Sequence, residues 1–243
     1  MKFWTFSKRT EKEILRDPLN IAFGLGFPLV LIFLLSAIQA NVPVSLFAIE
    51  NLVPGITVFG LSFMTLFSAT LISKDRESAL LQRLYTTPLK ATDYIFGYAL
   101  PILPIAILQC IICYIAALFL GLKITITIVY AVLFIIPISL FFIALGLLFG
   151  SVLGVKQVGG ICGALLTNLT AWLSGTWFDL DLVGDVFKKI ADVLPFSHAV
   201  ELERAVLSGK YNAIFPHLWW ILGYMLITVI LAVLFFVRQM KEQ

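Results

Sequence analysis

Cys110 and Cys113 stand three positions apart, and His198 and His217 are the only two histidines. These side chains could most readily hold a metal or pass electrons. On a helix the two thiols would share a face, which fits either simple packing or a metal or redox pair. Cys162 makes the count odd, so no disulfide framework follows. The histidines are far apart in sequence, and no HExxH, GxSxG or GxxxxGK[ST] pattern occurs. Gly209-Lys210 is the only Gly-Lys pair, and it lacks both the leading glycine and the following hydroxyl residue. Hydrolytic catalysis, phosphate-loop ATP binding and a cofactor of the chain's own are therefore not expected.

A short charged stretch interrupts the apolar sequence from Ile72 to Leu89, "ISKDRESALLQRLYTTPL". Ser73 is a candidate N-cap, and Asp75 and Glu77 suit the positive end of a helix beginning there. Leu80, Leu81, Leu84 and Tyr85 recur at helical spacing and form an apolar face. Pro88 disfavours helical geometry at Thr87 and ends the helix. Thr92 or Asp93 can cap the helix that follows. The stretch predicts a short amphipathic helix within residues 74–90. Its polar face must meet water or another protein, so it is either a surface-lying loop helix or a docking element.

A membrane must hold this helix. The sequence is 60% hydrophobic and 13% charged, against roughly 45–50% and 25% in soluble domains. Six runs reach the roughly 20 apolar residues that cross a bilayer core: Leu19–Ala40, Leu52–Ser73, Tyr94–Leu120, Ile124–Leu153, Val158–Trp177 and His217–Val237. They are continuous rather than alternating, which excludes barrel strands. The expected fold is an all-α integral membrane protein, a single domain over residues 1–243. With the N-terminus inside, twelve Lys and Arg fall on the inner side and five on the outer. Both termini are then expected in the cytoplasm. The formal net charge of +3 reflects this asymmetry and does not suggest nucleic acid.

The first seventeen residues read as an interfacial helix rather than a cleaved leader, the other reading being a disordered basic tail. Phe3, Trp4, Phe6, Ile14 and Leu15 offer apolar contact, Lys8, Arg9, Lys12 and Arg16 attract anionic headgroups, and Asp17-Pro18 supplies a stop. No span carries Asp, Glu, His or Arg away from its ends, which argues against a proton-driven carrier or a channel with a charged ring. The fifth span carries small and polar residues: Gly160, Gly163, Ala164, Thr167, Asn168, Ala171, Ser174 and Gly175. Gly146, Gly150 and Gly154 end the fourth at four-residue steps. Such stripes let helices approach closely, either within the chain or as a dimer seam or translocation path. Asn168 is the most polar mid-span residue.

Between the fifth and sixth spans, residues 178–216 form an outer segment. Leu182, Val186, Ile190 and Val193 fall at helical spacing, Pro195 breaks the run, Ser197 can start a second helix and Gly209 can end it. Six acidic residues lie here: Asp179, Asp181, Asp185, Asp192, Glu201 and Glu203. They form either a solvated loop face or an outer gate built on Asp179, Asp181, Pro195 and Glu201.

Read together, these stretches resemble the ATP-binding-cassette type-2 permeases, the membrane halves of many bacterial exporters. "LRDPLNIAFGLGFPLVLIFLL" is similar to that family's basic helix, Arg-Asp-Pro and first span with an early proline. "DRESALLQRLYTTPLKATDYIFG" resembles its charged turn, short helix, Thr-Pro and later glycine. "LSGTWF" and "LPFSHAVELERAVLSG" resemble its Ser-Gly exit and its proline-containing helix before the last span. Ala79-Leu80-Leu81-Gln82 departs from the family's frequent Gly-Thr-Leu-Glu, Gly97-Tyr98 from Gly-Lys, and Asp179 from proline.

The resemblance implies a coupling helix at 74–90 that docks on a separate cytoplasmic ATPase, with Asp75, Arg76, Glu77, Leu80, Leu81, Arg83 and Leu84 carrying the contact. ATP and magnesium would sit on that partner. It also implies two ATPase subunits, a second permease chain forming a homodimer or heterodimer, and a pair of re-entrant helices over the outer end. The implied place is a bacterial cell membrane, and the implied task is export. The nearly charge-free spans favour an amphipathic or lipophilic cargo such as a drug, lipid or peptide. An ATPase-independent carrier or channel, or a non-transporting immunity or scaffold protein, are the alternatives.

Overall fold

The computed structural model describes residues 2–42, 47–78 and 91–241, all of its regular structure being helical. Leu80, Leu81, Arg83, Leu84 and the stop at Pro88 lie outside the described residues. The chain opens with α1 (Lys2–Leu15) and α2 (Pro18–Ile21), and a π segment (Ala22–Gly26) leads into α3 (Phe27–Ala40). Pro28 cannot donate to the Gly24 carbonyl, and the helix widens into π geometry just ahead of it. Then come α4 (Ile49–Glu77), α5 (Ala91–Phe119) and α6 (Ile126–Val152). A second π segment (Gly159–Leu166) joins α7 (Val155–Val158) to α8 (Thr167–Leu173). A 3-10 turn (Leu180–Leu182), α9 (Asp185–Val193), α10 (Pro195–Leu207) and α11 (Tyr211–Lys241) complete the chain.

Among the described residues five helical runs are long and apolar enough to cross a membrane: 22–40, 49–77, 92–119, 126–152 and 211–238. The run 155–173, which covers most of the expected fifth span, is helical throughout but is not among the five. Lys156, Gln157, Asn168 and three glycines dilute its apolar content.

α4 is the axis of the bundle, surrounded by α3, α5, α6, α10 and the 155–173 run. Its small and hydroxyl residues bring α6 close. Thr65 donates to the Phe142 carbonyl at 2.7 Å, and a Cβ on Gly146 would collide with Ser68 and the Thr65 carbonyl. A Cβ on Gly150 would stand 2.7 Å from the Ala69 carbonyl oxygen. The small-residue stripe ending α6 is thus used within the chain.

Three local expectations are corrected. Ser73 does not begin a helix: α4 runs on to Glu77, and the Ser73 hydroxyl bonds back to the Thr70 carbonyl. Asp75 and Glu77 therefore occupy a helix C-terminus, where their charge is unfavourable without partners. Thr92 and Asp93 lie inside the first turn of α5, which begins at Ala91. In the outer segment α10 starts at Pro195 rather than Ser197, because proline's missing N–H costs nothing in a first turn. Gly209, at a φ of +69°, follows its end.

Candidate functional site

Each end of the bundle buries one carboxylate. At the α1 end it is Asp75, 2% exposed. Arg9 reaches it from α1 with both guanidinium nitrogens, Nη1 to Oδ2 at 2.5 Å and Nη2 to Oδ1 at 2.7 Å. Tyr98 of α5 donates its hydroxyl to Oδ2 at 2.7 Å. Arg9 also pairs with Glu13 at 2.8 Å. Its bond to Asp75 raises the guanidinium above its ordinary value, against the opposing effect of burial. α1 is seated here because Phe6 lies edge-on against Tyr94 and Tyr98. Gly97 makes room for it, since a Cβ there would strike the Phe6 ring.

The neighbours of Asp75 bind other elements. Lys74 approaches Asp17, between α1 and α2, at 3.9 Å. Arg76 donates to the Ser151 carbonyl and, at 2.6 Å, to the Leu153 carbonyl at the end of α6. Glu77 accepts from the backbone N–H of Val155, which opens α7, at 2.8 Å. Four consecutive side chains thus tie the end of α4 to α1, α5, α6 and α7. Asp75, Arg76 and Glu77 spend their hydrogen bonds inside the chain. Residues 79–90 follow directly.

At the opposite end, α10 carries Glu203, which is 0% exposed. Tyr114 of α5 donates to its Oε2 at 3.0 Å, while Oε1 has no partner. Burial pushes this carboxyl up to about 8, against the lowering effect of the tyrosine bond. Around it the helices of this end are cross-tied. Ser197 donates to the Ala191 carbonyl at 2.7 Å. Arg204 reaches the Gly175 carbonyl at 2.9 Å and Glu201 at 2.8 Å. His198 donates from Nε2 to the Asp192 carbonyl at 2.8 Å, which leaves its Nδ1 as the acceptor for His217 Nδ1–H at 2.9 Å in the neutral pair. A cavity of 540 Å³ opens beside them, lined by Glu50, Lys123, Glu201, Arg204 and Lys210.

The expected gate residues are dispersed. Asp179 caps the 3-10 turn through the Asp181 N–H, and exposed Asp181 pairs with Lys188 at 2.5 Å. Pro195 is buried at the start of α10, and Glu201 is exposed. Leu182, Val186, Ile190 and Val193 all turn outward. The fifth-span stripe divides between two faces. Thr167, Ala171, Ser174 and Gly175 are buried by the chain itself, whereas Gly160, Ala164 and Asn168 are exposed. A Cβ on Gly163 would touch Leu66 at 3.4 Å, and one on Gly160 would meet open space. Asn168 donates to the Ala164 carbonyl of its own helix at 2.8 Å.

Cys110 and Cys113 are buried and free, and Cys113 accepts a 3.6 Å contact from Gln109. No group of three or more potential metal ligands assembles among the described residues. Sequence reasoning passed over Arg9, Tyr98, Tyr114 and Glu203 as site residues. For Glu203 a signal existed: it falls four residues after Ala199 and three before Val206, on the apolar stripe of α10. The family model described as ABC-2 type transporter matches residues 1–208. No curated protein matches the chain.

Proposed function

The chain belongs to the ABC-2 type transporter family, and on that premise we propose that it is the permease subunit of an ATP-driven exporter whose ATPase is a separate chain. The family match, which runs through residues 79–90, carries this reading. Residues 79–90 are the docking element for the ATPase. Displacing residues 79–90 pulls on residues 74–77, which hold α1, α5, α6 and α7 together. The hydrogen bonds from Arg9, Tyr98 and Val155 to Asp75 and Glu77, and those that Arg76 donates to α6, support this. The α1 end is cytoplasmic and the α10 end faces outward, in keeping with the Lys and Arg distribution. The run 155–173 is then a sixth crossing. It leads from α7, at the α1 end, toward Gly175, which Arg204 holds at the α10 end, and 19 helical residues span about 28 Å. Both termini accordingly lie on the cytoplasmic side, and α1 lies along the membrane surface.

Two permease chains and two ATPases form the transporter, ATP and magnesium belong to the ATPases, and the cargo is amphipathic or lipophilic. Glu203 is the observation that favours a second reading, a proton-linked carrier, because it is a buried acid. One experiment separates the two. Proteoliposomes holding the chain with its co-purifying ABC ATPase should export a lipophilic dye only with ATP. Dye movement driven by a pH gradient through the chain alone would instead support the carrier.

A further inference from the structure

We propose that the chain carries a binding site for one anionic phospholipid of the cytoplasmic leaflet, formed where α1 lies against α5. Two adjoining concavities share Lys8. One is an apolar groove of 350 Å³ between Trp4 and Leu15 of α1 and Leu100, Pro104 and Leu108 of α5. The other is a recess of 610 Å³ lined by Lys8, Lys12 and Arg16 together with Arg9 and Glu13.

The charges are unequal in availability. Arg9 and Glu13 are bound to each other, and Arg9 to Asp75. Lys8, Lys12 and Arg16 are exposed and form no ion pair among the described residues. They recur every fourth residue, so they line one side of α1. Glu11, at the rim of the groove, and Glu13, which shares Arg9 with Asp75, offset them only in part. An apolar slot ending in a net positive recess matches an acyl chain ending in a negative phosphate headgroup. Trp4 and Leu15, each more than half exposed, would otherwise meet water at the membrane surface. The site rests on the placement of α1 at the cytoplasmic surface and is independent of transport.

Trp4 is a built-in probe. The full chain, in the complex in which it purifies, is placed in phosphatidylcholine vesicles with a minor fraction of brominated phosphatidylglycerol, and separately with brominated phosphatidylcholine. The Trp4 signal is taken as the difference from Trp4→Phe. Quenching should favour phosphatidylglycerol. The pair Lys8→Gln and Lys12→Gln should lower that preference about thirtyfold, at about 1 kcal/mol for each cation. Lys156→Gln, away from the groove, should leave it unchanged. Equal quenching by both lipids would overturn the site while leaving α1 at the membrane. No Trp4 quenching by either lipid would overturn the placement with it. Loss of the preference on adding inorganic phosphate would make this a free-anion site and not a lipid site.

Discussion

Asp75 and Glu203 are both withdrawn from water, one at each end of the bundle, and they are held in opposite ways. Asp75 receives three hydrogen bonds, two of them from a guanidinium. Glu203 receives one, from a neutral phenol, and leaves an oxygen unpartnered. A buried charge with a bidentate partner is compensated and geometrically fixed. A buried acid without a cation holds its proton instead. The α1 end is therefore built as a rigid joint and the α10 end as a titratable contact.

The largest expected effect comes from breaking the rigid joint. Asp75→Ala removes the shared acceptor of Arg9 and Tyr98 and leaves the half-buried guanidinium with Glu13 as its remaining ion partner. Loss of one partner of a fully buried pair costs about 3–5 kcal/mol; with Glu13 still on the partly exposed Arg9, the lower end, about 3 kcal/mol, is expected, read as a fall in the thermal midpoint in detergent. A variant as stable as the wild type would mean that water already solvates the pair.

Next is Glu203→Gln, which keeps the shape and the acceptor for Tyr114. The native carboxyl titrates at about 8, whereas an unfolded glutamate titrates at about 4.3. Between those values the native state keeps a proton that the unfolded chain has released. Wild-type stability therefore falls as pH rises through that window and is unaffected below it. Glu203→Gln should remove this fall, matching the wild type near the lower limit and exceeding it near the upper by a few kcal/mol. Identical pH profiles would show that Glu203 is solvated.

The two tyrosines give the smallest and most direct contrast. Tyr114→Phe takes away the only donor to Glu203 and should cost about 1–3 kcal/mol. Tyr98→Phe leaves Arg9 on both oxygens of Asp75 and should cost nearer about 1 kcal/mol. Equal losses, measured by the same unfolding assay, would erase the difference between the ends.

Much of the scaffold was legible because hydrophobic runs and proline positions are local signals. Pro18, Pro195 and Gly209 stand at helix boundaries as their backbone chemistry requires. The helices α3, α4, α5, α6 and α11 follow from uninterrupted apolar sequence. The site was less legible because its bonds join residues far apart in sequence. Asp75 looked like an N-terminal helix charge, since nothing local announces Arg9, 66 positions away. Ser73 looked like a cap because capping and back-bonding serines are alike in sequence. Glu203 looked like one of six solvated acids until α10 was seen to bury it. The fifth-span stripe looked like one face, yet packing on Leu66 and on the outer helices divides it.

The expected coupling runs from the α1 end to the α10 end through Asp75. It is tested most directly by labelling Glu201→Cys, at the outer cavity, with a membrane-impermeant thiol reagent in the reconstituted complex with its ATPase. The native thiols are buried. With Asp75 intact, adding ATP should change the labelling rate. With Asp75→Asn, ATP hydrolysis should continue while the labelling rate no longer responds. A labelling response to ATP as large in Asp75→Asn as in the wild type would contradict the account.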